Sequence, residues 1–265
     1  MRDTEPPVEW MGEVVIAVAA DEFGQSVYPT LRSVGALAVR LAGDGAYIVG
    51  AGAHPIGGDR VRIGVDVGCD ASLTLRSTSA TLARAGVPHA ESLVATEVSV
   101  ERGGLLRWLP EPGVAARGSL HCSSARIALA STARLAWSDA IVLGRVAEEP
   151  GSWTSRLRVE VDGQPLVANE LALGPAHPAW STPSVLGGAR AVSTVVMVDP
   201  ERCAPSPTVL DGILGYLIPV GANGFSAVAW GDTYLECQRS LAALRIAAHV
   251  DGWLESCRPP IAPAA

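Results

Sequence analysis

The chain has 265 residues, of which 48% are hydrophobic and 18% are charged, and this is enough to bury a large core and to exclude general disorder. Its formal net charge is −7 at pH 7, so it lacks the cationic excess that nucleic acid binding requires. Aromatic residues make up only 5%, whereas glycine and proline number 28 and 19. This composition favours many short strands joined by turns.

The amino terminus and the cysteines indicate a cytoplasmic protein. Arg2, Asp3, Glu5 and Glu9 occur where a secretion signal would have a basic start and an apolar stretch. The five cysteines are scattered without a Cys-x-x-Cys pair, as expected for reduced thiols. The uncharged segment 212–231 is long enough to span a bilayer, but a proline and five glycines within it argue against a membrane helix.

Alternation of apolar and polar residues predicts strands through the first half of the chain. Residues 61–67 alternate strictly, and the alternation resumes through Leu73 and Leu75 after a Gly-Cys-Asp-Ala turn. We expect these two runs to be neighbouring strands of one sheet. Further strands are predicted at 94–100, 105–109, 126–130 and 135–143.

The clearest hairpin lies in the middle of the chain. Residues 157–161 and 166–173 are strand-like, and Asp162-Gly163 lies between them. Asp-Gly readily supplies the positive φ angles of a tight primed turn, so these segments predict an antiparallel pair.

One helix is predicted near the carboxyl end, from about Asp232 to His249. Thr233 and Glu236 have the spacing of a capping box. Apolar residues then recur on one helical face, and Gly252 is expected to stop the helix. The tail 258–265 is rich in proline and alanine and is expected to be disordered. We therefore expect a single domain over 1–265 with a core at about 12–252.

The sequence contains fragments of cofactor-binding and catalytic motifs, but the residues around them do not fit these functions. Gly50-Ala-Gly52 begins like a dinucleotide-binding loop, but the third glycine is missing and a strand pattern starts at Val61 where a helix should follow. There is no Gly-x-Ser-x-Gly elbow. Glu111 and Asp139 would form a general acid/base pair only if the fold brought them together.

The histidines do not form a metal motif. They are isolated along the chain, and only His121 has an adjacent soft ligand, Cys122, which on a strand would point to the opposite face. The sequence therefore predicts no tightly bound metal within one chain, although it leaves open a site completed by another chain. The histidines are His54, His89, His121, His177 and His249.

Three segments, taken in order, resemble the UreD (UreH) family of urease accessory proteins. Residues 57–81 open with Gly-Gly-Asp before a strand, 106–112 read Leu-Arg-Trp-Leu-Pro-Glu-Pro, and 137–145 end in Gly-Arg. The chain departs from the family pattern at Leu82, where lysine is common, and at Asp139, where glutamate is common. The second change keeps a carboxylate but shortens its reach by one methylene.

The resemblance implies a mainly β fold, a helix-like stack of strands with a short helical part at the carboxyl end. It also implies a protein that is not an enzyme and that works with the UreF and UreG accessory proteins and the urease apoprotein, with a homodimer in the complex left open. No tightly bound cofactor is expected, and nickel would be present only in transit. Neither nucleic acid nor a membrane is an expected partner.

The resemblance also points to two sets of residues. The motif residues that contact partners or form turns are Gly57, Gly58, Asp59, Arg60, Trp108, Glu111, Gly144 and Arg145. For the three glycines, tight turns with positive φ are the simpler interpretation. The candidate nickel-transfer acids are Asp59, Asp66, Glu91, Glu111, Asp139 and Glu170, because weak and dispersed oxygen ligands suit a metal that must be released.

Two alternatives remain at the level of sequence. A hydrolase would be favoured if a deep pocket gathered a histidine and two acids. A binding module without a role in nickel transfer would be favoured if the motif residues all proved to be turn formers without a common surface. Trp10, Trp153 and Trp180 lie in proline- or glycine-flanked segments and are candidate interface anchors or ordinary packing residues.

Overall fold

The protein is described from a computed structural model, which covers residues 10–43 and 45–250. These residues form strands throughout, with one helix near the carboxyl end. The elements are β1 (Gly12–Ala20), β2 (Ser26–Gly35), β3 (Leu37–Ala42), β4 (Gly45–Gly50), β5 (Arg60–Val67), β6 (Ser72–Ser77), β7 (Thr81–Ala83), β8 (Ser92–Val100), β9 (Leu105–Leu109), β10 (Gly113–Ala115), β11 (Leu120–Leu129), β12 (Arg134–Leu143), β13 (Ser152–Val161), β14 (Gln164–Leu173), β15 (Ala191–Val198), β16 (Gly215–Val220), β17 (Gly224–Gly231) and α1 (Tyr234–Ala247).

The strands form two sheets. The first sheet has seven strands in the order β14-β13-β11-β8-β5-β1-β2. The second sheet has ten, with β16-β17-β15-β12-β9-β6-β4-β3 as its main order and with β7 and β10 added beside β12.

The centre of the molecule is a coil that alternates between the sheets. From β5 to β13 the chain places β5, β8, β11 and β13 in the first sheet and β6, β9 and β12 in the second. Strands of successive turns pair in parallel, with Arg60 opposite Leu93 and Cys122 opposite both Leu93 and Thr154. The predicted helix-like stack of strands is confirmed.

One predicted pairing is wrong. The strands at 60–67 and 72–77 follow each other in sequence but lie in different sheets. The turn between them carries the chain across the core instead of reversing it, so β5 pairs with β1 and β8, and β6 pairs with β4 and β9. Alternation identifies the buried face of a strand, but it does not identify the strand's neighbour.

The main core lies between the two sheets. Val14, Ile63 and Val65 of the first sheet pack in one cluster with Leu73 and Leu106 of the second. A second cluster lies between the second sheet and α1. Within the described residues, no helix combines the length and the apolar character needed to cross a membrane.

The predicted hairpin and helix are both confirmed. Asp162 and Gly163 have φ angles of 47° and 76°, and they join β13 to β14 in an antiparallel pair. Thr233 caps α1 in a complete capping box with Glu236. Cys237, Leu241 and Leu244 are the buried face of α1, as expected. The predicted stop at Gly252 and the tail 258–265 lie outside the described residues.

Candidate functional site

A row of four side chains crosses the inner face of the first sheet at the start of its parallel strands. His121 of β11 lies opposite Ser92 of β8 on one side and Trp153 of β13 on the other. Asp59, directly before β5, continues the row, because the Leu93 N–H next to Ser92 donates to the Asp59 carbonyl at 2.8 Å. Neighbouring strands are about 4.8 Å apart, so the coil brings together residues that are far apart in sequence.

Each of two buried histidines is held through its Nδ1. His54 Nδ1 lies 3.1 Å from Asp59 Oδ2, which also accepts from the Ile56 N–H at 2.8 Å. The His54 side chain is only 4% exposed, and its Nε2 is buried without a hydrogen-bond partner. His121 Nδ1 lies 2.8 Å from Ser92 Oγ, and the His121 ring packs against Trp153 with centroids 4.2 Å apart.

A carboxylate bridges the two sheets at the next level. The Ser155 hydroxyl of β13 donates to Asp139 Oδ2 of β12 at 2.7 Å. Asp139 is half-buried and lines the space between the sheets. Burial raises the pKa of Asp139, and the hydrogen bond from Ser155 opposes this shift.

These groups surround a cavity of about 140 Å³ between the sheets. Trp108 and Trp137 stack with centroids 4.7 Å apart and form part of its wall. The volume has room for several water molecules or for a hydrated ion. The polar residues of its lining include His54, Glu111, His121, Asp139 and Ser155, together with Arg76, Arg156 and several serines and threonines. The cavity is mostly apolar and partly open to solvent, with a few polar groups among its walls.

Both histidines are uncharged at neutral pH. Burial lowers the pKa of His121 to about 3, and the nearby His54 contributes to the shift. Burial also lowers the pKa of His54, although Asp59 opposes this shift. Neutral imidazoles can act as metal ligands without first losing a proton.

The predicted motif residues divide between the cavity and turns. Trp108 and Glu111 line the cavity, and Asp59 holds His54, which also lines it. Gly58 and Gly144 have φ angles of 99° and 78°, as turn formers should. Gly57 lacks a positive φ. Its requirement is space instead, because a Cβ there would lie 2.7 Å from the Ala90 carbonyl oxygen.

The two arginines of the motif lie outside the cavity. Arg60 is exposed at the start of β5. Arg145 pairs with Glu148 at 2.7 Å, and its N–H donates to the same carboxylate at 3.0 Å. This pairing lowers the pKa of Glu148 to about 2. The same contacts hold the turn that follows β12.

The six candidate acids do not lie along one path. Asp59, Glu111 and Asp139 line or adjoin the cavity. Asp66 lies on the outer face of the first sheet, and Glu170 pairs with Arg156 at the edge strand β14. Glu91 is exposed. Nickel transfer through any of these acids stays a prediction. Of the six, Asp59, Glu111 and Asp139 are the ones that lie at the cavity.

The sequence reasoning missed the histidines and serines of the site. His54, Ser92, His121 and Ser155 are isolated in sequence. Trp153 is one of the candidate interface anchors or packing residues, and it lies buried in β13. The signal that was available is spacing. Asp59, Ser92, His121 and Trp153 follow one another at roughly thirty-residue intervals, about one turn of a strand coil.

The site does not match a closed metal centre or the predicted pattern of a hydrolase. In the part of the chain that the structure describes, no three His, Cys, Asp or Glu side chains are grouped to hold a metal ion. The carboxylate held by His54 is that of Asp59, whereas Asp139 is bound by Ser155. A histidine and two acids do not meet here within hydrogen-bond range.

Comparison with known proteins identifies the family. The family model for the UreD urease accessory protein matches residues 11–256. A urease accessory protein UreD of Streptomyces avermitilis is 41% identical over 233 residues, which cover 85% of this chain and 92% of that protein. A UreD protein of Parafrankia sp. is 33% identical over 254 residues, which cover 86% of both chains. The chain therefore belongs to the UreD family of urease accessory proteins.

Proposed function

We propose that this protein assists the maturation of urease in the cytoplasm, binding the urease apoprotein together with UreF and UreG and assisting nickel delivery to the active site. The observation that carries the proposal is family membership over nearly the whole chain, including 41% identity to a protein named urease accessory protein UreD. In this role the chain would act by binding and transfer and would not be an enzyme itself.

The internal cavity supports a direct role in passing nickel. Its polar lining combines the imidazoles of His54 and His121 with the carboxyl group of Asp139. No group of three or more His, Cys, Asp or Glu side chains that could hold a metal occurs among the described residues. A carrier must release its metal, so a few weak ligands in a sheltered space suit transfer better than a closed centre.

The outer face of the first sheet supports docking of a protein partner. Parallel sheets are normally covered on both faces, but here Arg62, Asp66 and Ala128 lie exposed on an open face. Arg62 and Glu97 form an ion pair across neighbouring strands of that face. Exposed apolar residues on the edge strand β2, such as Leu31 and Val34, offer further contact area.

The test is co-expression of the matching urease subunits with UreF and UreG, with and without this chain. We expect the chain to co-purify with these proteins and its omission to leave assembled urease that is poor in nickel. Urease activity and nickel per active site are the measurements. Fully nickel-loaded urease without the chain, together with no captured partner, would contradict the proposal.

A further inference from the structure

The two sheets do not end together on the side of β14. We infer that the groove left there, between the open edge of β14 and the inner face of β17 and β16, takes up an extended segment of a partner protein as an added strand of the first sheet. This inference rests on the proposed function for the existence of a partner. It goes further by naming the surface and the kind of segment that fits it.

The second sheet extends two strands beyond the first. β14 is the last strand of the first sheet, and its inner residues Asn169 and Leu171 line a narrow space together with Val192 and Thr194 of β15. In the second sheet, β17 and β16 follow β15. Within the part of the chain that the structure describes, the first sheet therefore has no strand opposite β17 and β16.

The uncovered inner face of β17 and β16 is apolar. Val196 of β15 lies in the main core, Ser226 of β17 is opposite it, and Ile218 of β16 is opposite Ser226. Opposite residues of neighbouring strands share a face, so Ile218 is turned to the side of the first sheet. Tyr216 lies on the same face and packs against Trp230, with ring centroids 6.2 Å apart. Neither strand contains a charged residue, yet Tyr216 and Ile218 are 36% and 42% exposed.

The edge of β14 has backbone groups available for pairing. This strand of ten residues pairs only with β13. No other backbone hydrogen bond among the described residues reaches 165–172. In an antiparallel pair about every second residue points its N–H and C=O away from its partner, so the open side of β14 carries a row of such groups. An edge of this kind is a template for strand addition.

The spacing fits one added strand. Packed sheets lie about 10 Å apart and neighbouring strands about 4.8 Å apart, so a strand next to β14 would lie over β17 and cover Val228. The groove is bounded at both ends. The turn after β16 reaches the start of β14, because a Cβ on Gly221 would lie 2.8 Å from Leu166 Cδ1. At the other end, Trp180 packs against the same core cluster as Val228.

The occupant that fits is a short extended segment with apolar residues at alternate positions. One of its faces would meet the uncharged β17 and β16. Its other face would continue the outer face of β14, where Glu170 pairs with Arg156 at 2.7 Å, so polar residues fit there. A second copy of this chain does not fit. Antiparallel pairing of two β14 strands would put β17 and β16 of both copies into the same space, and parallel pairing would set Arg156 and Glu170 against Ile218.

Hydrogen exchange of backbone amides tests strand addition directly and does not depend on urease activity. The full-length chain is measured alone at two concentrations, and then with the urease apoprotein, with UreF and with UreG. Alone, about half of the amides of 164–173 should exchange rapidly. In the complex that fills the groove, these amides should exchange at least about 10-fold more slowly. Slow exchange of these amides already in the chain alone would overturn the inference, because the edge would then be covered by this chain or, if the exchange depends on concentration, by a second copy.

Ile218→Lys tests the groove against the rest of the surface. The side chain is exposed, so the variant should remain folded, which far-ultraviolet circular dichroism checks. Its charge would face the apolar side of the incoming segment, and we expect the partner that protects β14 to bind at least about 10-fold more weakly. Leu41→Lys, exposed on the edge strand β3, is the matched control and should bind like the wild type. Unchanged binding by the folded Ile218→Lys variant would overturn the groove.

Failure of the proposed function would look different. If none of the three proteins is captured and urease is fully loaded with nickel without the chain, the proposed function fails and the segment named here fails with it. If a partner is captured while the amides of 164–173 exchange as in the free chain, the proposed function stands and strand addition at β14 is overturned.

Discussion

Asp139 is an acid in a place that disfavours its charge. Because burial raises its folded-state pKa, its contribution to stability is fully present below the unfolded pKa and is lost as the pH rises through the folded pKa. Asp139→Asn should therefore increase the free energy of unfolding at pH 7, because the substitution removes the charged form that burial disfavours. Urea titrations at pH 4 and pH 7 would show whether the gain grows with pH.

The same variant separates stability from function. Asparagine keeps an oxygen that can accept from Ser155, so the bridge between the sheets remains. If the carboxylate serves nickel transfer, Asp139→Asn should be more stable and yet yield urease with less nickel, as expected for a destabilising group kept for activity. An equal stability difference at both pH values would contradict the assigned cause of the pKa shift.

Gly144 combines a left-handed conformation with a crowded position. Its φ is 78°, and an added Cβ would lie 2.7 Å from Arg190 Nη2 and 2.8 Å from the Glu148 carbonyl oxygen. Arg190 donates to the Leu143 and Glu148 carbonyls, so this Cβ would disrupt the turn after β12. Gly144→Ala should destabilise the protein by clearly more than the roughly 1–2 kcal/mol of the backbone conformation alone.

Gly163→Ala is the matched control for that backbone conformation. Gly163 has a φ of 76°, but nothing lies within 4 Å of the position that an added Cβ would take. The difference between the two free energies of unfolding, measured by urea titration, isolates the crowding around Arg190. Equal losses of unfolding free energy in both variants would show that the Arg190 side chain moves aside without a measurable loss of stability.

Among the individual elements, helix α1 is stabilised by the capping box at its amino-terminal end. The Thr233 side chain accepts from the Glu236 N–H, and the Glu236 side chain accepts from the Thr233 N–H. Thr233→Ala removes one of these bonds and should cost about 1 kcal/mol, whereas Thr233→Ser should be close to the wild type. Thermal unfolding followed by circular dichroism compares them, and an unchanged midpoint in the alanine variant would refute the capping role.

The sequence predicted individual elements better than their arrangement. The hairpin at Asp162-Gly163 and the capping box at Thr233 are local, so their chemistry is complete within a few residues. The pairing of β5 with β8 depends on contacts between turns of the coil, and periodicity carries no information on these. For the same reason Asp59 and Asp139 could be singled out, whereas His54 and His121 could not.

At the scale of the whole molecule, the alternating coil creates the cavity between the two sheets. Each turn adds one strand to each sheet, and small residues such as Ala125 on the inner face of β11 leave the cavity unfilled. Filling this space should block passage without altering the outer surface. We therefore expect Ala125→Leu to yield assembled urease with the chain still captured but with less nickel per active site.

The matched control lies on the same strand and faces the other way. Ala128 of β11 is exposed on the outer face of the first sheet, so Ala128→Leu adds the same atoms outside the cavity. Overpacking by Ala125→Leu should cost about 1–3 kcal/mol at most, because the side chain enters existing space. If nickel content falls equally in both variants, blockage of the cavity does not explain the loss. If it falls only in Ala125→Leu while partner capture is unchanged, the ion passes between the sheets.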